Sequence, residues 1–375
     1  MKITCIAASE IPSATANSIQ VMKACQALAQ LGHEVHLLVP RRAGSQPPTP
    51  EALKTHYGLA DLFPIEWMPA HPRWKRYDFC WRAVRRAKAL GAGLVYVWPL
   101  QAADLALLAG LGVILEMHGP PEGGLGPWLF RIFLGLPGRK RILPITQALK
   151  QLLAARYSLS HVETVISPNA IDLERYASLP PPSEARSELG LPEQFTVGYT
   201  GHLYPGRGMN MLVALAQRFS HLHFLWVGGN PNDVNHWKER LASEKLNNVT
   251  LTGFIENHRL PIYQAAADVL LMPYERTIAG SSGGNSALYA SPMKMFDYMA
   301  CRRAIISSDL PVIGEVLNET NAVLCPPEDP EAWAAALQAL YQDQPRRLHL
   351  AQQALQDVKR FTWQARAARA IEGWQ

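Results

Sequence analysis

Short apolar runs alternate along this chain with longer segments in which apolar positions recur at helical spacing. Residues 3–8 form an apolar run, and Val21, Cys25, Leu28 and Leu31 then fall on one helical face. Gly32 closes that helix, and residues 34–39 read as a second buried strand, completing a βαβ unit. The intervening loop, residues 10–18, is rich in small residues, and Asn17 followed by Gln20 predicts its helix cap. Strand patterns recur at 94–97, 113–117 and 141–145, with a helix at 102–109. The pattern breaks near Pro168, and Pro180, Pro181, Pro182 and Pro192 read as a linker. A second alternating series follows, with strands at 196–199, 222–227, 249–251, 269–272, 304–307 and 322–324. Residues 331–374 read as helical, with interruptions at Pro345 and near Phe361.

Such alternation predicts an α/β chain of two tandem Rossmann-like domains, each a doubly wound parallel sheet. The expected bounds are 1–175 for the first, 176–355 for the second and 356–375 for a C-terminal helix returning to the first. Ligands are expected in a cleft between the two sets of strand carboxyl ends.

Composition narrows the class. A length of 375 residues with 48% hydrophobic residues suits two globular domains, each with its own core. The cysteines, Cys5, Cys25, Cys80, Cys301 and Cys325, are odd in number and lack metal-like spacing, so neither disulfide nor zinc site is expected and a reducing, cytoplasmic setting is. The first apolar run is too short for a signal peptide, and no later run approaches a membrane span. The formal charge is only +5, but basic residues cluster with aromatics. Arg73, Lys75, Arg76, Arg82, Arg85, Arg86 and Lys88 interleave with Trp74, Tyr77, Phe79 and Trp81; Trp128, Phe130 and Phe133 precede Arg139, Lys140 and Arg141. This composition fits a surface helix with its aromatics packed inward, and it also fits peripheral contact with a membrane or an anionic acceptor. No nucleic-acid-binding signature accompanies it.

The segment from Ser291 to Ala300, SPMKMFDYMA, carries the most chemistry. A proline in the first turn of a helix and an acid, Asp297, farther in describe a helix N-terminus able to bind phosphate and a diol. Free N–H groups and the helix dipole attract the anion, and the carboxylate can accept from two neighbouring hydroxyls. An amphipathic helix with Met293, Met295, Phe296 and Met299 in the core fits the same residues. No dinucleotide fingerprint follows the first strand, and no nucleophile-elbow pattern occurs.

Taken in order, the segments ILEMHG at 114–119, SPNAID at 167–172, GYTGHLY at 198–204, LTGF at 251–254, AADVLLMP at 266–273 and 291–311 resemble those of retaining family 4 glycosyltransferases of the GT-B fold, in the subgroup whose donor-site helix begins Ser-Pro-x-Lys. The resemblance implies transfer of a hexose from a UDP- or GDP-sugar to an acceptor hydroxyl with retention, without a metal or other cofactor. It assigns Arg207 to the diphosphate and His118 to the transferred sugar as the catalytic pair. Donor contacts fall on Gly201, His202, Gly253, Phe254, Gly283, Gly284, Tyr289, Ser291, Pro292, Met293, Lys294 and Asp297, with Asp297 on the ribose. Ser13, Asn17 and Ser18 mark the acceptor-side loop. The chain departs from the family pattern at Tyr289, where the first acid of an acid pair is usual, and at His202, where arginine is common. Those departures keep two other readings open, a non-catalytic nucleotide-sugar-binding protein and a sugar-nucleotide epimerase.

Overall fold

A computed structural model describes residues 1–13, 15–41, 44, 46–74, 76–278 and 285–374. The chain divides into two compact units, Met1–Asn169 with Trp363–Gln375, and Ala170–Thr362.

The first unit holds seven parallel strands: β1 (Lys2–Ile6), β2 (Glu34–Arg41), β3 (Ile65–Pro69), β4 (Leu94–Val97), β5 (Gly112–Met117), β6 (Lys140–Pro144) and β7 (Glu163–Thr164). Their order, β3-β2-β1-β4-β5-β6-β7, reverses direction between β1 and β4. Helices α1 (Ala16–Gln30) and α2 (Pro50–Tyr57) connect strands on one side of that switch, whereas α3 (Tyr77–Ala89), α4 (Leu100–Leu108), α5 (Gly126–Gly135) and α6 (Gln147–Ala154) follow it. Right-handed crossovers place these two sets on opposite faces of the sheet. Covered on both sides, β4 is buried along its whole length.

In the second unit the elements run α7 (Pro182–Leu189), β8 (Thr196–Thr200), α8 (Met209–Arg218), β9 (His223–Val227), α9 (Pro231–Ser243), β10 (Val249–Leu251), α10 (Leu260–Ala265), β11 (Val269–Met272), α11 (Met293–Ala300), β12 (Ala304–Ser308), β13 (Val323–Cys325), α12 (Pro330–Gln342) and α13 (Gln344–Val358). The six strands pair in the order β10-β9-β8-β11-β12-β13, again all parallel. Trp226 of β9 and Trp333 of α12 are fully buried at the centre of its core. The last helix, α14 (Trp363–Ile371), belongs to the first unit and packs against α1.

Two local expectations are corrected. The cap of α1 is Thr15, whose hydroxyl accepts from the Ser18 amide; Asn17 lies inside the helix and donates instead to Ser9 Oγ at 2.9 Å. Pro292 has extended backbone and sits at the cap of α11 rather than in its first turn.

Candidate functional site

Two clusters of chemistry-bearing side chains lie at strand carboxyl ends, one in each unit. In the second unit β8 ends at Thr200, and the chain then turns through Gly201, His202 and Tyr204 to Arg207. Gly201 has φ of 135°, and a Cβ there would lie 2.9 Å from Lys294 Nζ. The missing side chain is what lets the lysine reach across the strand end. Gly208, at φ 74°, stands against the Pro273 carbonyl where a Cβ would approach to 1.8 Å, so the Arg207 turn is pressed onto the exit of β11.

The two cations thereby share an aromatic box. Lys294 Nζ sits 4.0 Å from the Tyr199 ring centre and 5.2 Å from that of Tyr274; the Arg207 guanidinium sits 5.0 Å from Tyr274 and 4.7 Å from Tyr204, to whose hydroxyl it also donates. Aromatic faces attract cations but accept few hydrogen bonds. Lys294 Nζ and Arg207 Nε are both buried without a hydrogen-bond partner. Burial, and after it the charge of Arg207, hold the Lys294 ammonium well below the ordinary lysine range, against the pull of Asp297. His202 is lowered too, first by loss of water and then by Arg207 and Lys294. A buried, under-satisfied positive pair at a helix N-terminus is chemically an anion site.

Around it, the turns after β8, β9 and β10 lie side by side: Gly201 N donates to Val227 O at 2.8 Å and Gly228 N to Gly253 O at 2.8 Å. Phe254, next along, is 58% exposed. In α11, Asp297 is one turn beyond Lys294 and half-buried, and its charge pushes up the phenol of Tyr176 after burial has done so. Ser291 and Tyr289 are buried beside the start of the helix, with Met293 as its first residue. Gly283 and Gly284 lie outside the described residues.

In the first unit, Glu116 on β5 is the pivot. Its fully buried carboxylate accepts from His118 Nε2 at 2.6 Å, from Arg366 of α14 at 2.7 Å, from Tyr96 Oη and from Gln20 Nε2. Burial raises its pKa, but Arg366 and then His118 outweigh that and hold it at about 2. Arg366 is anchored in turn on the carbonyls of Pro168 at 2.9 Å and Ser167 at 3.3 Å. With Nε2–H committed to Glu116, His118 keeps Nδ1 as an acceptor, and its ring is one-third exposed. In the acceptor-side loop Ser13 N donates to Tyr57 Oη at 2.9 Å. Ser18 is fully buried, with its hydroxyl donating to Ser13 O at 2.6 Å, so it shapes the loop from inside. No group of His, Cys, Asp and Glu suited to holding a metal ion occurs among the described residues.

Sequence reading gave no site role to Tyr199, Tyr274, Tyr96 or Arg366. The tyrosines look like ordinary core residues, and Arg366 looks like one more arginine in an Ala-Gln-Arg helix; no local spacing links them to Lys294 or Glu116.

Solved structures share this architecture over the whole chain. Sucrose-phosphate synthase from Thermosynechococcus elongatus superposes with a TM-score of 0.76 at 19% identity, covering 100% of this chain and 98% of that one. The Anabaena protein HepE in complex with UDP-glucose gives 0.75 at 17%, covering 100% and 99%. Paired doubly wound parallel sheets of this kind define the GT-B fold. Residues 18–175 match the model of Glycosyltransferase Family 4, and residues 194–343 that of Glycosyl transferases group 1. Each match covers less than half of the chain, the first falling almost wholly in the first unit and the second in the second, and together they make the chain similar to the family 4 glycosyltransferases along most of its length. D-inositol 3-phosphate glycosyltransferase of Kineococcus radiotolerans is 26% identical over 248 residues, 62% of this chain and 56% of that one. A putative teichuronic acid biosynthesis glycosyltransferase of Bacillus subtilis is 26% identical over 162 residues, 43% and 37%. The chain spans about half the length of the curated relatives it matches.

Proposed function

We propose that the protein transfers a hexose from a nucleoside diphosphate sugar to an acceptor hydroxyl, with retention of configuration. The observation that carries this reading is the buried Lys294 ammonium without a hydrogen-bond partner beside Arg207 at the carboxyl end of β8. A diphosphate supplies what both cations lack. As the bond from the anomeric carbon to the phosphate oxygen breaks, the electron pair leaves with the diphosphate, and Arg207 together with Lys294, whose charged form the bound anion favours, stabilises that charge. The acceptor oxygen bonds to the anomeric carbon from the same face, and its proton passes to the departing phosphate oxygen. Asp297 is assigned to the ribose hydroxyls, the Gly253–Phe254 turn to the base, and His118, through its accepting Nδ1, to a sugar hydroxyl. That HepE is known with UDP-glucose supports a uridine nucleotide as the first donor to try.

The test is a thermal-shift and sugar-release assay with UDP- and GDP-sugars on the wild type, K294M and R207M. Nucleotide should raise the melting temperature of the wild type alone, and sugar should be released in the presence of an acceptor. Binding without release under any acceptor would point to a non-catalytic binding protein, which the Tyr289 and His202 departures favour. An altered sugar released with no acceptor would point to an epimerase.

A further inference from the structure

Aromatic residues on the α3–α4–α5 side of the first unit are sorted by type. Phe79, Phe130 and Phe133 are fully buried under the helices, whereas Trp74, Trp81 and Trp128 are 65%, 50% and 57% exposed. Among the described residues no other tryptophan is exposed. Leu108 of α4 and Leu125, at the start of α5, add apolar surface at 67% and 57%. The three helices form one layer, since α3 packs on α4 and α4 on α5.

The charges are sorted as well. Trp81, Arg85 and Lys88 form one outward stripe along α3, with the Arg85 guanidinium 4.7 Å over the Trp81 ring. Arg73 and Arg76 are exposed just before the helix. Most acids on this side are turned away: Asp78 faces Arg82 with its side chain 13% exposed, Glu66 is paired with Arg86 at 2.8 Å, and Asp104 is buried, which leaves Glu122, half-buried in the loop before α5. Arg82 and Arg86 are spent on these partners, leaving Arg73, Arg76 and Arg85 facing outward, with Lys88 exposed while donating to Ala109 O at 3.3 Å.

We propose that this face docks on an anionic lipid bilayer, its tryptophans at the headgroup level and its outward cations on lipid phosphates. The partition of tryptophan outward and phenylalanine inward is what an interface between water and hydrocarbon selects, because the indole has an apolar body and an N–H that must be satisfied. A second copy of the chain fits the face poorly, since it would set one cationic stripe against another. Among the described residues no helix is long and apolar enough to cross a membrane, so the contact is peripheral. A consequence rests on the proposed transfer reaction: α5 begins directly after the His118 loop, which brings the docked bilayer to the carboxyl end of β5 and selects a lipid-linked acceptor.

Co-sedimentation with phosphatidylcholine vesicles, with and without phosphatidylglycerol, tests the contact in the absence of nucleotide. Binding is expected only with phosphatidylglycerol and should fall with salt; R85Q and K88Q should each weaken it about fivefold. W81A/W128A should abolish it while leaving the melting temperature unchanged, because these side chains are exposed. Equal sedimentation of wild type and variants, no sedimentation at all, or a dimer in solution that the tryptophan substitutions dissolve would overturn the proposal. Nucleotide thermal shift, read separately, reports whether the second-unit site stands regardless.

Discussion

At the scale of single residues, Lys294 is held at a cost to the free protein. A buried lysine nitrogen without hydrogen-bond partners is expected to destabilise the fold by roughly 1–3 kcal/mol. K294M should therefore raise the apo melting temperature while removing the nucleotide-induced shift; a destabilised variant that still responds to nucleotide would contradict the assignment. Asp104 makes a second residue-scale prediction. Burial, only partly offset by Lys140, lifts its carboxyl from 3.8 to about 7, and neither oxygen has a hydrogen-bond partner. The native state then holds a proton that the unfolded chain has lost, so stability falls as pH rises from 3.8 towards 7. Differential scanning calorimetry of D104N should show a gain over the wild type at pH above about 7 that disappears below about pH 4. The candidate donor residues were legible from sequence where a motif is contiguous, as in Ser291 to Asp297. The aromatic box was not, because Tyr199, Tyr204 and Tyr274 reach Lys294 and Arg207 only through the β8–β11 pairing and the turn at Gly208.

At the scale of elements, the end of β8 and the start of α11 act together through one absent side chain. G201A would place a methyl group 2.9 Å from Lys294 Nζ, at a φ of 135° that alanine disfavours. The lysine must withdraw, and nucleotide affinity is expected to fall by about tenfold or more, the loss of one charge-assisted contact; isothermal titration calorimetry on the folded variant would show it. The α14 helix supplies the other element-scale coupling. Glu116 is held at about 2 against an ordinary 4.5, so it adds stability above pH 4.5 that is lost as pH falls towards 2, about 3 kcal/mol in all. E116Q leaves the Arg366 guanidinium buried without its carboxylate, at a cost of roughly 3–5 kcal/mol. Its melting temperature at pH 7 should drop by roughly 10 °C, and its acid-unfolding profile should be flatter between pH 4.5 and 2. An unchanged profile would show that the network is not what holds the acid. Strand and helix alternation was readable because each strand is a short, nearly continuous apolar run. β3 and the helix α2 were not, since β3 is a short, mostly half-buried strand interrupted by Glu66 and ending in proline, and α2 carries few apolar positions.

At the scale of the molecule, the two-sheet architecture was readable from the alternation alone. The points of division were expected at 175 and 355; contacts in the structure divide the chain after Asn169 and Thr362. Ile171 already pairs with Thr362 within the second unit, and that bridge draws both connecting segments into it. Sequence composition marks where prolines gather, not which side a segment's hydrogen bonds serve. The first unit is discontinuous: Arg366 reaches Glu116 only after the entire second unit has intervened in the chain. On the ribosome this sets an order of events. The nascent first sheet leaves the exit tunnel with a carboxylate at its centre and no arginine to meet it, and it must wait while nearly two hundred further residues are translated. The second sheet, contiguous in sequence, is free to fold first, and the emergence of α14 closes the earlier unit after the later one.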